Sequence, residues 1–230
     1  MKRGEPAARL KALEDLLWSK TSRKQPTHYR GSAFDFLSID ERTLERIAAK
    51  EFDLSDLLPD DQLIVLDYVW KHSTLYEGLS IPMWAFKLRG RKVVQGDFAI
   101  VSGWIDRIDN WAHCDGMSSV FANFNHEYPR LVTPVLKRWN KTKELWKIRA
   151  SIVSLIHYSG KNAVYLTPKD VLPFLDPHLA NKDKYIANAI GWVLREMHHR
   201  YRDDIAAYVD TNRAKISSIA FGKARMRQRA

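Results

Sequence analysis

From Pro6 to Val209, apolar residues return every three or four positions in one segment after another, and this period restricts the fold most. Pro6 to Lys20 places Leu10, Leu13, Leu16 and Leu17 on one helical face. Asp40 is a helix cap for a segment carrying Leu44, Ile47 and Ala48, with Glu41 and Glu45 near its positive end. Pro59-Asp60-Asp61 opens the next, with Leu63, Leu66, Val69 and Trp70 at helical spacing. Leu79 to Lys87 reads as a short helix, Gln95 to Ile108 as another, and Asp109-Asn110 as the cap of one beginning at Trp111. Pro129 through Trp139, Lys143 to His157, Pro168 to Leu175, Lys184 to His199, Asp203 to Val209 and a last segment from Ile216 continue the series. Tyr29 to Ile39 is aromatic-rich and reads as a loop or short helix.

About eleven short helices joined by turns leave little room for a sheet. The expected class is all-α, and successive amphipathic pairs point to an α-solenoid, a superhelix of degenerate two-helix repeats. A compact orthogonal bundle satisfies the same periodicity. The expected organisation is one helical domain over 1–230, ending in a basic tail from about 214.

Charge narrows the function classes. Lys and Arg outnumber Asp and Glu by 37 to 27, a formal net charge of +10. Six cations and no acid lie between Thr211 and Ala230 (Arg213, Lys215, Lys223, Arg225, Arg227, Arg229). Lys137, Arg138, Lys141, Lys143, Lys147 and Arg149 form a second cluster with Glu144 as its one counterweight. One such cluster is an ordinary solvated face; two favour a polyanion, because each neutralised phosphate releases a condensed counterion. The single Cys114 excludes an intramolecular disulfide and a cysteine-rich zinc site. No run has the length of a membrane span and no signal-peptide pattern opens the chain, so the expected location is cytoplasmic.

The stretch Asp109-Asn-Trp-Ala-His-Cys-Asp-Gly-Met-Ser-Ser119 stands out. In a helix, Trp111 and Asp115 are i and i+4 and share a face. A carboxylate beside a large aromatic loses hydration, which costs free energy unless the group is paired or used. Gly116 and Gly191, both within helical patterns, are explained equally by close helix packing and by close approach of a ligand backbone. His113 and His157 read as ordinary packing or surface histidines, and His198-His199 as no metal site.

Three segments, Trp111-Ala-His-Cys-Asp115, Leu145-Trp-Lys-Ile-Arg149 and Ala189-Ile-Gly-Trp-Val-Leu-Arg-Glu196, occur in an order and spacing that resemble the DNA alkylation repair family of AlkD-like glycosylases. Tyr29-Arg-Gly-Ser-Ala-Phe34 with Phe36-Leu-Ser-Ile39 looks like that family's N-terminal aromatic loop. The resemblance implies HEAT-like repeats around a concave basic cleft. It also implies hydrolysis of the N-glycosidic bond of cationic N3- and N7-methyl purines in double-stranded DNA, without metal or cofactor. It places the catalytic aspartate on Asp115 and the sugar-packing tryptophans on Trp111 and Trp192. Arg149, Tyr29 and Arg195 are then expected DNA or nucleotide contacts, and the four residues Asp115, Trp111, Trp192 and Arg149 are expected to line one cleft. The chain departs from the family at Asn188, where many relatives carry lysine, and in the N-terminal loop, where a glycine and a proline usually stand in place of Ser38 and, depending on register, Glu41 or Arg42.

Such chemistry needs few groups. Glycosidic cleavage passes through an oxocarbenium-like sugar and commonly uses two carboxylates, one protonating the leaving group. A base already cationic makes the acid dispensable, so one carboxylate is enough. Two other classes remain open on sequence: a HEAT-like binder of distorted or branched DNA without chemistry, and a protein-binding scaffold. Nothing in the sequence demands more than a monomer.

Overall fold

The computed structural model describes residues 6–29, 31–157 and 163–224. Arg225, Arg227 and Arg229 of the basic tail lie outside them. Twelve α-helices are found among the described residues, and the chain divides into two compact units, Met1–Val120 and Phe121–Ala230.

In the first unit, α1 (Pro6–Ser19) packs on α3 (Pro59–His72), and α3 packs on α4 (Tyr76–Arg89). Between α1 and α3 lies α2 (Glu41–Arg46), which runs into a π-helical turn, Ile47–Glu51. Asp40 caps α2 as expected, its carboxylate accepting the Thr43 N–H at 3.0 Å. The apolar stripes meet in a core of Leu13, Leu17, Leu37, Ile39, Leu44, Ile47, Val65, Val69, Leu75 and Ile81. Removal of this apolar surface from water is the main stabilising term.

Two segments of this unit differ from the sequence reading, and in a third the loop alternative is realised. The described residues of 29–39 contain no helix. Thr27–His28 (β1) and Asp35–Phe36 (β2) instead pair antiparallel as a minimal ribbon. Gly31 turns the chain with φ +89°, and Ser38 holds φ +64°, both outside helical geometry. The helix expected at Leu79 to Lys87 starts earlier and ends later, as α4 shows. A side chain at Gly78 would overlap Ser73, so the glycine lets the α3–α4 turn close tightly against the new helix. Gln95 to Ile108 is not one helix. It is two 3₁₀ segments, Gln95–Asp97 and Ser102–Arg107, flanking a single α-turn, α5 (Phe98–Val101). There tertiary packing overrides the periodic pattern: Trp104 stacks on Trp70 at 4.9 Å and donates its indole N–H to Asp67 at 2.9 Å. Helix α6 (Trp111–Glu127) begins in the first unit.

In the second unit, α7 (Pro129–Asn140) and α8 (Leu145–Val153) form a helical hairpin, and α8 packs on α10 (Lys184–Arg200). α8 stops well short of the expected His157; the His157 N–H bonds the Ala163 carbonyl at 2.7 Å instead of continuing the helix. α9 (Pro168–Leu175) starts at its proline as expected. Asp183 caps α10 by accepting the Tyr185 and Ile186 N–H groups. α11 (Arg202–Thr211) and α12 (Ser218–Ala224) both pack on α10. Gly116 and Gly191 serve helix packing: a side chain at Gly191 would strike the Ala220 carbonyl of α12, and one at Gly116 would strike Met83 of α4.

Candidate functional site

Helix α6 starts where the sequence predicts because Asn110 caps it. The Asn110 side-chain oxygen accepts the His113 N–H at 2.9 Å. One turn of helix then brings Trp111 and Asp115 to the same face. Asp115 is 5% exposed, a carboxylate taken almost wholly out of bulk water.

Trp111 belongs to an aromatic cluster. Tyr29 lies 6.4 Å from Trp111, 4.7 Å from Tyr76 and 5.1 Å from Phe36, and Phe36 meets Tyr76 edge-on at 5.1 Å. Tyr29, drawn from a loop more than eighty residues upstream, therefore stands beside Trp111. Tyr76 is buried, and burial, then the neighbouring Tyr29 and Glu77, hold its phenol well above the ordinary range. His113 stacks on Tyr76 at 4.1 Å from beneath.

His113 is fully buried, and loss of hydration pushes its imidazole down to about 4 despite the opposing charge of Asp109. Its partners fix one neutral tautomer. Nδ1 accepts from the Asn110 amide at 3.0 Å, leaving Nε2–H to donate to Ser80 Oγ at 3.0 Å. The Ser80 hydroxyl in turn donates to the Tyr76 carbonyl at 3.2 Å. His113 is thus a packing residue, as expected, and the neutral support under the aromatic cluster.

Two carboxylates hold the loop bearing Tyr29: Asp109, which the sequence offers as part of the α6 cap, and Glu77, which no sequence pattern marks. Asp109 accepts from Ser32 Oγ at 2.9 Å, from the Ala33 N–H at 2.6 Å and from the Asn110 amide at 2.9 Å. Glu77 of α4, fully buried, accepts the N–H groups of Leu37 at 3.0 Å and Ile39 at 3.2 Å. Burial raises the Glu77 carboxyl above the usual range, while the loop N–H groups oppose that rise. These bonds satisfy backbone donors that the left-handed Ser38 turns away from any ladder. Their partners lie 40 and 76 residues apart, so no local pattern announces them.

The second unit carries the other three candidates. Arg149 of α8 is 6% exposed, and its Nη1 donates to the Tyr185 carbonyl at the start of α10. It therefore braces α8 on α10, and one arm of its fork is already engaged. Trp146 packs on Tyr185 at 5.0 Å beside it. Along α10, Tyr185, Asn188, Trp192 and Arg195 are the half-exposed residues of one stripe between buried neighbours. Arg195 donates to Glu196 at 2.8 Å, so part of its charge is offset. Lys137, Arg138, Lys141 and Lys143 are exposed around the α7–α8 turn, whereas Lys147 pairs with Glu144 at 2.8 Å. Among the described residues, no group of three or more His, Cys, Asp or Glu side chains could hold a metal ion. No described helix is long and apolar enough to cross a membrane.

A model of the family described as DNA alkylation repair enzyme matches residues 8–227. The chain belongs to this family. Its fold is shared by solved structures of low sequence identity. A protein described as a predicted DNA alkylation repair enzyme from Enterococcus faecalis has a TM-score of 0.71 at 12% identity, covering 100% of this chain and 98% of that one. AlkD2 from Streptococcus mutans has a TM-score of 0.65 at 12% identity, covering 96% and 100%. The protein smu.31 from Streptococcus mutans UA159 has a TM-score of 0.59 at 13% identity, covering 81% and 92%. No curated protein matches the sequence. The fold is accordingly an all-α, AlkD-like array of HEAT-like helices, the class expected from the periodicity and the resemblance.

Proposed function

We propose that this member of the DNA alkylation repair family is a DNA glycosylase that hydrolyses the N-glycosidic bond of cationic alkylpurines in duplex DNA, chiefly N3- and N7-methyl adducts. The observation that carries the reading is the Asp115 carboxylate, almost fully shielded from solvent and one helical turn from Trp111 of the Tyr29 cluster.

In the reaction the C1′–N bond breaks with its electron pair going to the purine, whose positive charge is thereby cancelled. No acid has to protonate the leaving base. Positive charge develops on the deoxyribose, and the Asp115 carboxylate stabilises it more strongly in a poorly hydrated setting than in water. Water then bonds to C1′ and passes a proton to the Asp115 carboxylate, from which it returns to solvent. The faces of Trp111 and Trp192 are attractive surfaces for the cationic sugar. Tyr29, Arg149 and Arg195 are assigned to the nucleotide and its flanking phosphates, where Arg provides planar, paired hydrogen bonds.

The mechanism is tested by charge selectivity. Purified protein is incubated with matched duplexes holding either N7-methylguanine or uracil, a neutral lesion, and the released base is measured. Excision of N7-methylguanine alone is expected. Equal release of uracil would show that departure does not depend on a positive charge already on the base, and the one-carboxylate mechanism as stated would fail.

A further inference from the structure

Asp109 is two residues before Trp111, yet two of the three groups that donate to it, Ser32 Oγ and the Ala33 N–H, lie in the loop that carries Tyr29. Its Oδ1 takes Ser32 Oγ and the Asn110 amide, and its Oδ2 takes the Ala33 N–H and again Ser32 Oγ. Asn110 spends its other amide hydrogen on His113 and its oxygen on the first turn of α6. A single carboxylate therefore joins the start of the helix bearing Trp111 and Asp115 to the turn that follows Tyr29. That turn is tight, with the Ser32 N–H on the Tyr29 carbonyl at 2.6 Å and Gly31 in a left-handed conformation. The neighbouring Arg107 adds a second brace, its guanidinium 4.9 Å over the Phe34 ring and its arms on the Trp70 and Ser73 carbonyls.

We propose that Asp109 is a positioning residue of the reaction assigned above: by gripping Ser32 and Ala33 it holds Tyr29 at its station beside Trp111. The inference rests on that functional reading. The ribbon to which the loop belongs is too short to be stable alone, so its place depends on such ties. Charge-assisted bonds from a carboxylate to backbone and hydroxyl donors are the stronger kind, so their loss frees the turn rather than merely loosening it. Displacement of a substrate-positioning ring by about 1 Å is enough to slow chemistry by roughly a hundredfold.

The test is a double-mutant cycle with Asp109→Ala, Tyr29→Ala and the pair, read as single-turnover excision of N7-methylguanine with enzyme in excess. Hydrogen exchange of residues 29–39 and of α10 is followed in the same preparations. Asp109→Asn, which keeps one acceptor oxygen, serves as the conservative variant. If Asp109 acts through Tyr29, Asp109→Ala slows excision by about ten- to a hundredfold, the double variant is no slower than Tyr29→Ala, and Asp109→Asn recovers part of the rate. Exchange in 29–39 quickens while α10 is unchanged. Additive losses, or unchanged exchange in the loop, overturn the clamp while leaving the glycosylase standing. No excision by the wild-type protein defeats the glycosylase reading, and the positioning role with it. Faster exchange in α10 as well shows general destabilisation and also overturns the proposal.

Discussion

Protonation of His113 is expected to loosen the whole first unit, and the size of the effect follows from its surroundings. The imidazole is fully buried, with Nδ1 facing the Asn110 amide and Nε2 facing Ser80. A second proton would place N–H against N–H at Asn110, in a pocket that cannot hydrate the charge. The folded value of about 4 lies below the ordinary 6.5. The unfolded chain therefore binds a proton that the folded chain refuses. Stability is complete above about pH 6.5, falls as pH drops through the interval between the two values, and stops falling below about pH 4. Over the full interval the loss is about 3 kcal/mol, and between pH 7 and pH 5 about 2 kcal/mol. Total stabilities of single domains are about 5–15 kcal/mol, so the change is large enough to measure. Urea unfolding at pH 7 and pH 5 should be compared for wild type and His113→Gln. Glutamine offers an oxygen to Asn110 and an amide to Ser80 but does not titrate. Wild type should lose about 2 kcal/mol more than the variant. Identical pH dependence in the two proteins would refute the argument from burial.

Two further perturbations test other parts of the account. Gly191→Ala gains helix propensity of up to about 1 kcal/mol but drives a methyl group into the Ala220 carbonyl, a backbone atom that cannot step aside. A net loss of stability, with α12 released from α10, is expected in thermal melts and hydrogen exchange; a stabilised variant would remove the packing explanation. Replacing Lys137, Arg138, Lys141 and Lys143 together by Gln should weaken duplex binding and lower the slope of log affinity against log salt by about 0.9 for each phosphate no longer neutralised. An unchanged slope would place the α7–α8 turn off the DNA path.

The helices are legible wherever local rules agree. Asp40, Pro59, Pro129 and Pro168 mark starts that α2, α3, α7 and α9 keep to within a residue. The i, i+4 relation of Trp111 and Asp115 needs only a helix, and a helix is there. Failures share a cause. The 95–107 segment follows the demands of the Trp70–Trp104 stack, 34 residues apart in sequence, rather than its own period. The ribbon and left-handed Ser38 depend on donors captured by Asp109 and Glu77 from distant elements. The family resemblance alone assigns Arg149 to the DNA, and only tertiary structure reveals its bond to the Tyr185 carbonyl. Gly116 and Gly191 are ambiguous until Met83 and Ala220 are seen opposite them.

The central claim concerns Asp115, and release of free bases from methylated duplex DNA by wild type and Asp115→Asn tests it most directly. Loss of one preorganised electrostatic stabiliser typically slows turnover by about a hundred- to a thousandfold. N7-methylguanine and N3-methyladenine are expected in the wild-type digest, that much less or none with Asp115→Asn, and duplex affinity at least as high in the variant. Equal release by both proteins, or none by either while both bind DNA tightly, would contradict it.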